Sequence, residues 1–101
     1  MPLFFARHQH TAETCPAKDI EMGQMLLQHV SRANALRNNI EIRGEAVLDG
    51  LHTLILILEA PDQSTAEKFM QPFAAAGSVE VLPASNCEEV VERGGCENPK
   101  K

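Results

Sequence analysis

Apolar residues in this chain fall into a few short, sharply bounded patterns. Leu54-Ile55-Leu56-Ile57-Leu58 is an unbroken run, and Leu3-Phe4-Phe5 is a second one near the N-terminus. A strand turns successive side chains to opposite faces, so both segments are predicted strands with apolar residues on both sides of a sheet. Ile40, Ile42, Gly44, Ala46 and Leu48 alternate instead with Glu41, Arg43, Glu45 and Val47. That period of two predicts a half-buried strand with one polar face. Asp49-Gly50 follows it and predicts a hairpin into a third strand, from Leu51 or His52 to Glu59.

The remaining segments read as helices, connections and one more strand. Strand one covers Leu3 to His8, and Gln9 to Cys15 is a polar connection. Pro16 suits the first position of a helix. Asp19 and Glu21 place negative charge at its N-terminal end, which the dipole favours. Ile20, Gly23, Leu27 and Val30 recur at helical spacing, flanked by Leu26 and Ala33, and predict a helix of about five turns ending near Asn38-Asn39. Ser64-x-x-Glu67 matches a capping box, with Asp62 a competing cap. Ala66, Phe69, Met70 and Phe73 form the stripe of a second helix, which Pro72 should kink or break near Gln71. Ser78 to Leu82 is strand four, ended by Pro83. Cys87 to Arg93 reads as a short helix, and Gly94-Gly95 with Glu97 to Lys101 as a frayed tail.

The order strand, helix, strand, strand, helix, strand predicts an α+β, ferredoxin-like βαββαβ domain. It has a four-stranded antiparallel sheet with two helices on one face. The core spans residues 3–83, within a single domain of 101 residues and with a C-terminal extension over 84–101. Crossover handedness places strands one and three together in the centre, read as running parallel, with strand two outside strand three and strand four outside strand one. The two two-sided strands are then the central ones. Both helices lie on one face, so the other would leave Leu, Ile and Phe in water. Burying each fully is worth roughly 1.5–3 kcal/mol. A second copy meeting it sheet to sheet would recover that, so a homodimer is expected.

This order of elements, with two-sided central strands, resembles the dimeric α+β barrel proteins. These are small ferredoxin-like domains that pair through their sheets. They include quinone-forming and haem-degrading monooxygenases, stress-responsive barrel proteins and families of unknown function. The resemblance covers residues 3 to 83 and is architectural. It implies a cavity holding an apolar small molecule and transfers no reaction.

Composition narrows the partners. The formal net charge is −5 with no basic stripe, and there are four Phe, no Tyr and no Trp. Nucleic acids and anionic membrane surfaces are therefore not expected partners. No charged leader precedes a long apolar segment, so no signal peptide is read. Three cysteines, Cys15, Cys87 and Cys96, fit a reducing compartment, and a cytoplasmic location is expected. Cys87 and Cys96, nine residues apart, do not have zinc-knuckle spacing.

Candidate chemistry gathers at the end of strand one. His8 and His10 form an H-x-H pair whose imidazoles lie on one face if the strand continues, about 6.5–7 Å apart along the chain. They are the candidate catalytic residues, since neutral imidazole titrates near working pH. Arg7, His52, Phe69 and Phe73 are candidate ligand contacts, with Arg7 suited to a carboxylate. Parallel central strands would bring Glu59 and Asp62 to the same rim as Cys15. Cys15 sits where a helix N-terminus favours thiolate. Those strands would also leave His52 about 15–20 Å from His8, and His29 towards that far end, where a structural role is expected.

The leading function is thus binding or converting a small, largely apolar organic molecule, without a required cofactor. If the protein is an enzyme, a cofactor-independent monooxygenase or isomerase is compatible. The alternative is a metal protein using His8, His10, Cys15 and Glu59 for Zn, Ni, Cu or Fe. A third reading is a structural dimerisation module.

Overall fold

The computed structural model describes residues 2–97. Its strands are β1 (Leu3–His10), β2 (Glu41–Leu48), β3 (Thr53–Glu59) and β4 (Gly77–Ala84). Its helices are α1 (Ile20–His29), α2 (Arg32–Arg37), α3 (Gln63–Met70) and α4 (Cys87–Arg93). The sheet order is β2-β3-β1-β4, and every neighbouring pair is antiparallel. This is the ferredoxin-like α+β architecture, with the two-sided strands in the centre. The part of the expected frayed tail beyond residue 97 lies outside the described residues.

The parallel pairing expected of the two central strands does not occur. β1 and β3 run antiparallel, with Leu3 opposite Glu59 and Gln9 opposite Thr53. The crossover rule governs β1 and β2, which are parallel but not adjacent. β3 turns back through the hairpin, slots between them and opposes both. The end of β1 therefore meets the start of β3.

The first helical region is three pieces rather than one. Pro16–Lys18 is a single 3-10 turn. Asp19 accepts hydrogen bonds from the backbone N–H groups of Glu21 and Met22, which starts α1 afresh. Ser31 caps α2 by accepting from Asn34 N–H. Short polar side chains that bond the local backbone compete with a continuous helix. Asn39, at φ 61°, then turns the chain into β2. In α3, Asp62 is the cap, accepting from the Thr65 N–H at 2.8 Å, and the Ser64/Glu67 capping box does not form. Pro72 ends α3 as expected, and Gln71–Ala75 continues as a 3-10 turn.

The core lies between the sheet and the helices. Phe4, Ala6 and His8 of β1 and Leu54, Leu56 and Leu58 of β3 point inward, beneath Ala66, Phe69, Met70 and Phe73. The sequence alternation expected for β2 is interrupted by a bulge between Ile42 and Gly44. Ile42 shares the helix-side row with Leu58, whereas Gly44 and Ala46 share the opposite face with Ile57 and Ile55. That opposite face carries a central row of Gly44, Ile57, Phe5 and Leu82, bordered by an Arg7–Glu80 ion pair at 3.6 Å. The α4 segment follows β4 and lies beside Pro2, Leu3 and Pro83, at the far end of the sheet from the histidines. Among the described residues, no helix is long and apolar enough to cross a membrane.

Helix α1 packs loosely. None of its residues is buried, Leu26 is only partly covered, and Ile20 is 85% exposed. The space beneath it forms two adjoining cavities.

Candidate functional site

Three chain segments meet where β1 ends. The first is β1 itself, which sends His8 and His10 to the helix side. The second is the connection after it. Thr14 donates its hydroxyl to the Ala76 carbonyl at 3.0 Å and pins this connection against the start of β4, leaving Cys15 beside the strand ends. The third is the hairpin over residues 49–52. Gly50 and His52 adopt φ of 77° and 49°, and His52 offers its carbonyl to the His10 N–H at 3.0 Å. Histidine tolerates the left-handed region better than most residues, and this backbone turns the His52 ring back towards β1.

A chain of rings results. His8 lies 5.1 Å from His10 and 5.1 Å from Phe73, and His10 lies 5.3 Å from His52. One ligand atom from each of His10, Cys15 and His52 fits within a mutual distance of 4.8 Å. Antiparallel pairing thus brings in His52, which the parallel reading had placed remotely, and removes Glu59. Glu59 lies at the opposite end of β3, where the Arg43 guanidinium donates to it at 2.6 Å. Asp62 is at that same far end, capping α3. Arg7 is on the outer face with Glu80, so it is not placed with the other candidates. Phe73 lines the site, while Phe69 is a core residue stacked on His29 at 4.5 Å. The helix end expected to act on Cys15 is only a 3-10 turn, too short to sum a macrodipole.

His8 is the most confined of these groups, only 1% exposed. Its Nδ1 lies 3.0 Å from the Ser78 carbonyl. A carbonyl only accepts, so Nδ1 carries the proton and Nε2 carries the lone pair. That Nε2 is buried and meets no hydrogen-bond partner among the described residues, and the same holds for His10 Nδ1. Burial pushes the His8 pKa below its ordinary value, against a smaller upward pull from the Ser78 carbonyl. His10 is also lowered, first by burial and then by the neighbouring His8 and His52 rings.

Both rings titrate near 6.5 when unfolded and lower when folded. Below about pH 6.5 the unfolded chain binds more protons, so stability declines as pH falls towards the folded values and is complete above 6.5. The slope is up to about 1.4 kcal/mol per pH unit for each excess proton. Urea unfolding between about pH 7.5 and 5.5, above most carboxylate titrations, measures it. A flat or rising profile contradicts this account of burial.

Two adjoining cavities flank His8. One, of about 160 Å³, is lined by His8, His10, Cys15, His52, Leu54 and Phe73 among others. The second, of about 230 Å³, lies below α1 against Met22, Met25, His29 and Pro72. His8, Pro16, Leu26 and Phe73 border both.

No protein-family model matches the chain, and no curated protein matches it. Among solved structures it is similar to the crystal structure of an uncharacterized NIPSNAP domain protein from Burkholderia xenovorans. The TM-score is 0.52 over 97% of this chain and 100% of that one, at 13% identity. At that identity the likeness establishes the ferredoxin-like fold alone.

Proposed function

We propose that the protein binds a small, largely apolar molecule bearing one hydroxyl or N–H donor, in the paired cavities beneath α1. The observation carrying this reading is the buried His8 Nε2, which meets no hydrogen-bond partner among the described residues, on a side chain that borders both cavities. Leaving such an atom unmet costs about 1–3 kcal/mol, and a ligand donor would relieve that cost. A cavity of about 150 Å³ holds a benzene ring, so the 160 Å³ cavity suits a single aromatic or compact alicyclic group. A neutral ring presenting a lone pair repels carboxylate, and Arg7 faces the other way. A hydroxyl therefore replaces the carboxylate expected of the ligand. Burial favours the neutral His8 ring, so its lone pair stays available to accept a hydrogen bond.

Phenol and toluene test the reading, because they differ mainly in the donor. Phenol should bind about 2- to 10-fold more tightly, the yield of one net hydrogen bond, as followed by thermal shift and the His8 ring ¹⁵N resonances. His8→Leu should abolish the difference. Equal binding of the two by the native chain, or a preference that survives His8→Leu, contradicts it.

The functional unit we propose is a homodimer joined through the outer sheet face. The row Ile57, Phe5 and Leu82 crosses the middle of that face, and Leu82 is 45% exposed. Ile57→Asp puts a charge at its centre. Sedimentation at micromolar concentration should show a native dimer and a monomeric variant. A monomeric native chain rules the dimer out.

A further inference from the structure

The geometry points to a mononuclear transition-metal site formed by His10, Cys15 and His52, with an open coordination position facing the 160 Å³ cavity. This site is separate from the His8 acceptor and does not depend on the identity of any organic ligand. Its first support is convergence. The three residues come from the end of β1, the connection after it and the β2–β3 hairpin, and one ligand atom from each lies within 4.8 Å of the others. Tetrahedral zinc with bonds of about 2.0–2.3 Å needs ligand atoms about 3.3–3.8 Å apart. Side-chain rotation of about an ångström closes that gap without moving the strands.

The second support is the state of the donors. His10 Nδ1 is buried with no hydrogen-bond partner among the described residues, although its ring sits between those of His8 and His52. A ring nitrogen of that kind is explained by a Lewis acid as readily as by a hydroxyl. The third is the backbone of His52, held at φ 49° on a hairpin where glycine or asparagine would be less strained. Its carbonyl is tied to His10 N–H, so the backbone bond that fixes the hairpin also sets the two rings against each other. Cys15 is partly buried, unlike the exposed Cys87 and Cys96.

Two imidazoles and one thiolate suit a borderline divalent ion of the zinc class. Three protein ligands with a fourth position open is the arrangement of reactive rather than purely structural zinc sites. On binding, the Cys15 S–H bond is replaced by a sulfur–metal bond and the proton leaves to solvent, while both rings bind through lone pairs. No electron transfer is required. The set differs from the one expected at first: His8 and Glu59 are replaced by His52.

Cobalt(II) titration of the reduced full chain is the test. One equivalent should develop thiolate-to-cobalt charge transfer in the near ultraviolet and the strong visible bands of four-coordinate cobalt. Cys15→Ser should lose the charge-transfer band, and Cys87→Ser/Cys96→Ser should keep it. His52→Asn accommodates the left-handed backbone, so its metal-free circular dichroism and melting should match the native chain. Its cobalt affinity should nevertheless fall more than about 100-fold, beyond the loss typical of an outer-shell partner. The site is refuted if no charge-transfer band appears, if the band follows Cys87 and Cys96, or if folded His52→Asn binds as tightly as the native chain.

Discussion

Leu56→Ala should cost about 2–5 kcal/mol, in the upper half of that range. Leu56 is fully buried in the middle of β3, with Ala6 of β1 on one side and Glu45 of β2 on the other. Hydrogen bonding to both neighbours holds the β3 backbone in place. The space left by the missing carbons therefore cannot be closed by moving the strand, and opposing Ala6 is too small to fill it. Against a total of about 5–15 kcal/mol for a domain, this is enough to leave a large unfolded fraction at physiological temperature. Urea unfolding at fixed protein concentration measures it. A loss below about 1 kcal/mol would mean that the layer over β3 collapses easily and that the core is not centred there.

Gly77→Ala should be nearly as damaging, although it adds one carbon. Gly77 opposes His10 at the start of β4. A Cβ there would run into the Gln9 carbonyl and approach the His10 Cα at 2.9 Å. These are backbone atoms, so no side-chain rotation relieves the overlap, and the end of β4 must peel away from β1. Overpacking of this kind costs about 1–3 kcal/mol, occasionally more. The damage should also reach the site, because Ser78, the next residue, holds the His8 ring. Accelerated amide exchange at residues 77–79, with altered His8 ring resonances, would accompany the lost stability. A variant with native stability and an unchanged His8 environment refutes the close approach.

The sheet order was readable because Leu54 to Leu58 is apolar on both faces, which suits a central rather than an edge strand. The hairpin at Asp49-Gly50 was readable from its residue chemistry. The site was half readable. The His8/His10 spacing and the nearby Cys15 pointed to the right end of β1, but His52 was assigned to the wrong end and Glu59 took its place. The cause is a direction, not a propensity. A strand entered through a hairpin from β2 must run opposite to β2, and β2 is parallel to β1, so β3 opposes β1. Following chain direction through the hairpin would have placed His52 beside His10. The breaks at Asp19 and Ser31 were harder to see, because both residues interrupt a helical periodicity that continues through them. The bulge at Arg43 was masked for the same reason: Gly44 fits the alternation whichever face it occupies. Arg7 is a further case. Its position on the central strand was legible, and alternation along β1 already put it on the face opposite His8 and His10, so it could not join them.

Helix α1 covers the cavities without burying any residue of its own. Lifting it forfeits little apolar contact, so this segment should sample detached conformations far more often than the sheet below it. A guest molecule could then arrive by way of a brief local excursion, with the β-structure intact. Its residence time would be set by how often one weakly seated cylinder rocks, and would respond to changes at Asp19 or Ser31, the two points from which it swings.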